Sequence, residues 1–210
     1  MIYMFFLLLC FILSGAHGNL DGYVGQQKGI VVATTINETG DASFMDYHWR
    51  KYDGVIPPDA VSAGVDTDGT PVYVGQVGAS FNNNYGLIPG AIRITSAYTY
   101  VTLGNGDYYG SNVNVQILCS QFPSRIQWYP ANDADFSTIA NRTSLVVSGF
   151  EFDQSSTGYP LYIGRSQKGI HRVVGKIRNV NVGNHIQGRL YYIHSQTEYF
   201  ASNYEVLAFF

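Results

Sequence analysis

The chain repeats itself, and the repeat constrains its fold more than any other feature. Tyr73-Val74-Gly75 returns as Tyr162-Ile163-Gly164, 89 positions later, and Pro89-Gly90 returns as Val174-Gly175, 85 positions later. The block Asn114-Val115-Gln116-Ile117-Leu118 returns as Asn203-Tyr204-Glu205-Val206-Leu207, again 89 along. Self-similarity at such a period marks a repeated supersecondary unit and implies two copies of any surface site. Trp49 opens the first unit and Trp128 the second. The chain thus divides into a leader over 1–18, an extension over 19–48 without a counterpart, a first repeat over 49–120 and a second over 121–210. Both tryptophans are expected to anchor the apolar interface between sheets rather than to serve as ligand platforms.

No stretch sustains helical periodicity, whereas short Val/Ile/Tyr runs recur between Gly, Asn, Asp and Pro. Strands are predicted at 29–36, 71–77, 92–94, 98–103 and 114–118, and again at 144–148, 160–166, 176–180, 189–194 and 204–209. Turn signals at Asp68-Gly69, Pro89-Gly90 and Asn105-Gly106 separate them. Short strands at this spacing predict an all-β fold, with two tandem repeats forming a pseudo-symmetric antiparallel β-sandwich or barrel-like body. The extension either adds an edge strand through Gly29-Ile30-Val31-Val32 or forms a flexible leader.

The first 18 residues run MIYMFFLLLCFILSGAHG. The apolar stretch is short for a bilayer span and ends in Ala16-His17-Gly18, a small-x-small cleavage site. A signal peptide and a secreted, extracellular protein starting near Asn19 are therefore expected, with a short N-terminal anchor as the alternative. Asn37-Glu38-Thr39 and Asn141-Arg142-Thr143 are glycosylation sequons that suit this route. Removal of Cys10 with the leader leaves Cys119 alone, expected as a buried thiol ending a strand. About 190 residues bury an adequate core without a disulfide. A net charge of −3 argues against nucleic-acid binding, which needs clustered Lys and Arg. The 17 tyrosines suit sugar binding, because a ring face packs on a pyranose while the hydroxyl bonds outward.

One set of residues resembles the DM-nine repeat family: Trp49, Gly54-Val55-Ile56-Pro57, Ala60-Val61-Ser62-Ala63-Gly64-Val65-Asp66, Gly69, Tyr73-Val74-Gly75 and Leu87-Ile88-Pro89-Gly90. A looser second set holds Ser148-Gly149, Gly158 to Arg165, Gly175-Lys176 and the closing Asn203-Tyr204-Glu205-Val206-Leu207. The resemblance spans Trp49 to the C-terminus. It implies an all-β tandem repeat that binds mannose or mannose-rich glycans through an acid after the Ala-Gly motif and a Lys after Pro-Gly. Carried over, the first copy offers Asp66 but has Ala91 in the Lys position, where Arg93, two residues on and on the same strand face, can substitute. The second copy offers Glu151 and Lys176, with Asp153 as a competing acid. A carboxylate accepts from adjacent sugar hydroxyls while a cation donates to the same ring. The competing explanation is that Asp66 and Glu151 form turns and Lys176 is a solvated strand charge.

Enzymatic signals are weak. His48, His171, His185 and His194 show no metal-ligand spacing, so no zinc site and no cofactor are expected. Val101-Thr102-Leu103-Gly104-Asn105-Gly106-Asp107 mimics a methyltransferase cofactor loop, but a strand pattern follows where a helix is needed, and an Asn-Gly hairpin turn explains the same residues.

The expected function is therefore a non-catalytic, lectin-like protein recognising mannose-type glycans on microbial or host surfaces in innate recognition. Two sites per chain, and more in a homodimer, would raise avidity. The alternative is a protein-interaction or structural module with degenerate sugar sites, which Ala91 favours. Membrane insertion is not expected, because no added inserting region is evident.

Overall fold

The computed structural model describes residues 47–210 except 82–83, 105, 153–157 and 183–184. The leader, the 29–36 strand, the Asn37 sequon and Asp153 lie outside the described residues. The first half contains β1 (His48–Lys51), β2 (Ser62–Val65), β3 (Pro71–Phe81), β4 (Asn84–Arg93), β5 (Thr99–Gly104), β6 (Asp107–Ser111) and β7 (Val115–Cys119). The second contains β8 (Ile126–Asn132), α1 (Phe136–Arg142), β9 (Val147–Phe152), β10 (Gly158–Lys168), β11 (His171–Val182), β12 (His185–His194), β13 (Thr197–Ala201) and β14 (Asn203–Phe209). The protein is all-β in character, and every registered strand pair is antiparallel.

Two sequence expectations need correction. A helix exists where no helical periodicity was found. Helix α1 has seven residues and buries only Phe136, so it carries no apolar stripe long enough to register as a period. Pro89-Gly90 is not a turn but lies inside β4. Glycine is needed there for close approach, since a Cβ on Gly90 would sit 2.6 Å from the Tyr100 carbonyl oxygen. Strands β5 and β6, by contrast, do pair as a hairpin with Gly106 between them, while Asn105 lies outside the described residues.

Among the described residues, twelve strands form one branched sheet whose main path runs from β1 to β13 and does not close into a barrel; β5 and β6 form a separate pair. Strand β3 pairs with β2 near its start and with β7 further along, while its other edge carries β4. Strand β10 has a corresponding set of neighbours, pairing with β9, then β14, and with β11 on its other edge. Gly75 faces Gly90 in the first half and Gly164 faces Gly175 in the second. Trp49 stands opposite Leu118, and Trp128 opposite Leu207.

The alternation expected of half-buried strands is visible in β3 and β10. Val72, Val74, Leu161 and Ile163 are fully buried, whereas the intervening Tyr73 and Tyr162 are only partly so. Three apolar clusters result. One is drawn almost wholly from the first half, around Ile88, Ile92 and Ile117, with Leu161 joining it. A second belongs to the second half, around Phe136, Ile177 and Leu190. The third is shared: Val61, Ala63, Val72, Val74 and Leu118 pack with Val146, Ile163, Val174 and Leu207. Trp49 and Trp128 lie partly buried against it. Strands β4 and β9 also pair across the halves, Tyr85 with Phe152 and Gly86 with Glu151.

Candidate functional site

The four residues carried over by motif form two pairs, each beside the seam between the halves. Asp66 follows β2, and the Gly69 amide donates back to its carbonyl at 2.9 Å, closing the Asp68-Gly69 turn. Arg93 ends β4 and donates through Nε to Asp66 Oδ2 at 3.2 Å. The Arg172 amide on β11 donates to Asp66 Oδ1 at 2.5 Å, and His171 Nδ1 lies 3.3 Å from Oδ2. Arg93 also donates through Nη2 to the Arg172 carbonyl. The first-half acid thus binds a first-half cation and a second-half backbone together. Burial works to raise the Asp66 pKa, but the Arg93 bond and the Arg172 amide outweigh it, and the carboxyl is held below its ordinary value. The first-half site stays partly open: 22% of the Arg93 side chain and 42% of His171 remain exposed.

The second pair is tighter and enclosed. Lys176 on β11 donates to both oxygens of Glu151 on β9, at 2.7 and 2.8 Å. The two side chains keep only 1% and 3% of their surface exposed. They converge as the motif implies, but on each other rather than on an open pocket. Burial pushes the Lys176 pKa down, against the pull of the Glu151 carboxylate. Glu198 on β13 lies close enough to interact with both, and burial raises its own pKa.

Arg178 is the residue that motif reasoning missed. It lies 85 positions after Arg93, as Glu151 lies 85 after Asp66 and Gly175 lies 85 after Gly90. Its Nη1 is 3.8 Å from Glu151 Oε2, and its guanidinium stands 5.2 Å from the Tyr159 ring centroid. Tyr159 is the cross-strand partner of Glu151. Arg93 and Arg178 therefore occupy matching places, and Arg93 is not a displaced version of the missing Lys. Ala91 is the true counterpart of Lys176: it faces Val74 as Lys176 faces Ile163, and it packs against the shared core. The offset of 85 was already present in the sequence and was the signal that could have found Arg178.

Arg165 ties the same seam. It donates to both oxygens of Glu205 at 2.7 and 2.9 Å and to the first-half Ala63 carbonyl at 2.9 Å, with its guanidinium 4.5 Å from the Trp128 ring centroid. Trp128 donates in turn to the Ser62 carbonyl at 3.0 Å. Asn141 is exposed near the end of α1, accessible as a sequon requires. Cys119 ends β7 and is fully buried.

No protein-family model matches this chain, and neither does any curated protein sequence.

Proposed function

We propose that the protein is a secreted, non-catalytic carbohydrate-binding protein of lectin type that recognises mannose-type glycans, as resemblance to the DM-nine repeats implies. The observation that carries this is the acid–arginine arrangement present in both halves at a single offset. Asp66 holds Arg93 at 3.2 Å, and Glu151 holds Arg178 at 3.8 Å. In each case the acid is buried while 22% or 32% of the arginine side chain stays exposed. A guanidinium anchored on one edge presents its remaining N–H donors in a fixed plane, and neighbouring sugar hydroxyls accept from such a fork. Tyr159 adds a ring beside Arg178 that suits the apolar face of a pyranose.

The test is binding of the folded protein to mannose-rich glycans with free mannose as competitor. Arg93→Ala and Arg178→Ala should each weaken binding, and the double variant should abolish it, because loss of either of two linked sites removes an avidity gain on the order of a hundredfold. Binding that ignores free mannose, or that survives loss of both arginines, would sink the proposal.

A protein-interaction or structural role is the second reading. It is favoured by the Glu151–Lys176 pair, whose charges satisfy each other away from solvent.

A further inference from the structure

A cluster in the first half has its own control in the second. His48 on β1 stands opposite Cys119 on β7, Ala60 forms a bridge with Cys119, and the Ser120 amide donates to the Asp59 carbonyl at 2.9 Å. Three adjacent backbone segments thus bring an imidazole, a carboxylate and a thiol together. One ligand atom from each of His48, Asp59 and Cys119 lies within 4.8 Å of the others, and His48 Nε2 is 3.8 Å from Asp59 Oδ2. The second half builds the same frame. Gln127 stands opposite Ala208, Leu145 forms a bridge with Ala208, and the Phe209 amide donates to the Ser144 carbonyl at 2.9 Å. Its three side chains at these places are Gln127, Ser144 and Ala208, none of them a metal-ligand type in this combination. Strand pairing therefore does not demand His, Asp and Cys, yet all three occur together in one half.

We propose that His48, Asp59 and Cys119 form a binding site for a zinc-type divalent transition metal. Thiolate, imidazole and carboxylate are the donors that zinc takes, at about 2.3, 2.0–2.1 and 2.0–2.2 Å, usually with tetrahedral geometry. The sulfur disfavours calcium and magnesium, which prefer all-oxygen sets. Three protein ligands leave a fourth position, and the burial gradient says where it points. Cys119 is buried, Asp59 is 23% exposed and His48 41% exposed, so the open side faces solvent. Arg50 donates to Asp59 Oδ1 at 3.5 Å while His48 Nε2 lies 3.8 Å from Oδ2, which leaves Oδ2 as the oxygen available to the metal. On binding, the sulfur forms the metal bond as the thiol proton leaves to solvent. Without metal the thiol is a poor nucleophile: burial, and then the Asp59 charge, push its pKa up to about 11.

Titration of the reduced full-length chain with Co²⁺ tests the site directly. One Co²⁺ per chain should bind with tetrahedral visible bands and a thiolate-to-metal charge-transfer band in the near ultraviolet, and Zn²⁺ should displace it. Cys119→Ala should remove the charge-transfer band, which also separates this site from Cys10. His48→Gln and Asp59→Ser should weaken binding by more than the roughly 10–100-fold typical of outer-shell losses. All three substitutions install what the second half already carries in the same frame, and His48→Gln touches only a half-exposed side chain if a core change impairs folding. Absence of the charge-transfer band in folded wild-type protein, its persistence in Cys119→Ala, or unchanged affinity in His48→Gln would each overturn the proposal.

Discussion

Lys176 and Glu151 form a two-pronged ion pair, at 2.7 and 2.8 Å, in a place that solvent scarcely reaches. Such a pair is costly to assemble and more costly to break, because removing one partner strands the other charge in a low-dielectric site. Lys176→Met should therefore destabilise the fold by about 3–5 kcal/mol, and pairing it with Glu151→Gln should recover much of that loss. Urea unfolding of the two single variants and the double variant checks this. Additive losses, with no recovery in the double, would show that the two side chains act independently.

Asp66 supplies the pH dependence. Its folded carboxyl is held below the ordinary 3.8, so it contributes stability in full above the unfolded value and loses it as pH falls through the folded one. Glu205 has the same sign, held down first by its bond from Arg165. The urea midpoint should hold near neutral pH and decline as pH drops below about 5. Asp66→Asn should flatten part of that decline at the expense of stability at pH 7. A wild-type midpoint that stays level into the acid range would contradict the assignment.

Gly90 and Gly175 should resist substitution, whereas a neighbouring strand glycine should not. A Cβ on Gly90 meets the Tyr100 carbonyl at 2.6 Å, and one on Gly175 meets the Tyr191 carbonyl closer still. Both obstacles are backbone, which yields little, so each Ala variant should lose about 1–3 kcal/mol or more. Gly78 in β3 has only Leu87 Cδ2 at 3.8 Å, and Gly78→Ala should be nearly neutral. Melting temperatures of the three variants decide the point; equal shifts would mean that the close approach of β4 and β11 to their neighbours is not what these glycines serve.

Much of the architecture was legible along the chain. The runs at 71–77, 160–166 and 204–209 lie inside β3, β10 and β14, where buried strands leave short runs rich in Val, Ile, Leu and Tyr. Strands β1, β2, β6, β8 and β13 were missed because they are short or half-exposed and carry weak alternation. Pro89-Gly90 misled for a different reason: its glycine answers a contact with Tyr100, and no local pattern distinguishes that need from a turn.

The candidate sites divide in the same way. Asp66, Arg93, Glu151 and Lys176 were selected from motif positions, and Arg178 was implied by the offset of 85. That Lys176 is sealed against Glu151 while Arg93 and Arg178 reach the surface depends on which strands cover them. His48, Asp59 and Cys119 show no ligand spacing in the chain, since β1, the segment before Ala60 and β7 meet only through sheet pairing. The sequence by itself determined the all-β class, many of the strands, the recurring motifs and the residue types available to each half. Only the tertiary structure decided which of those groups face water, because burial and side-chain proximity arise from contacts between segments far apart in the chain.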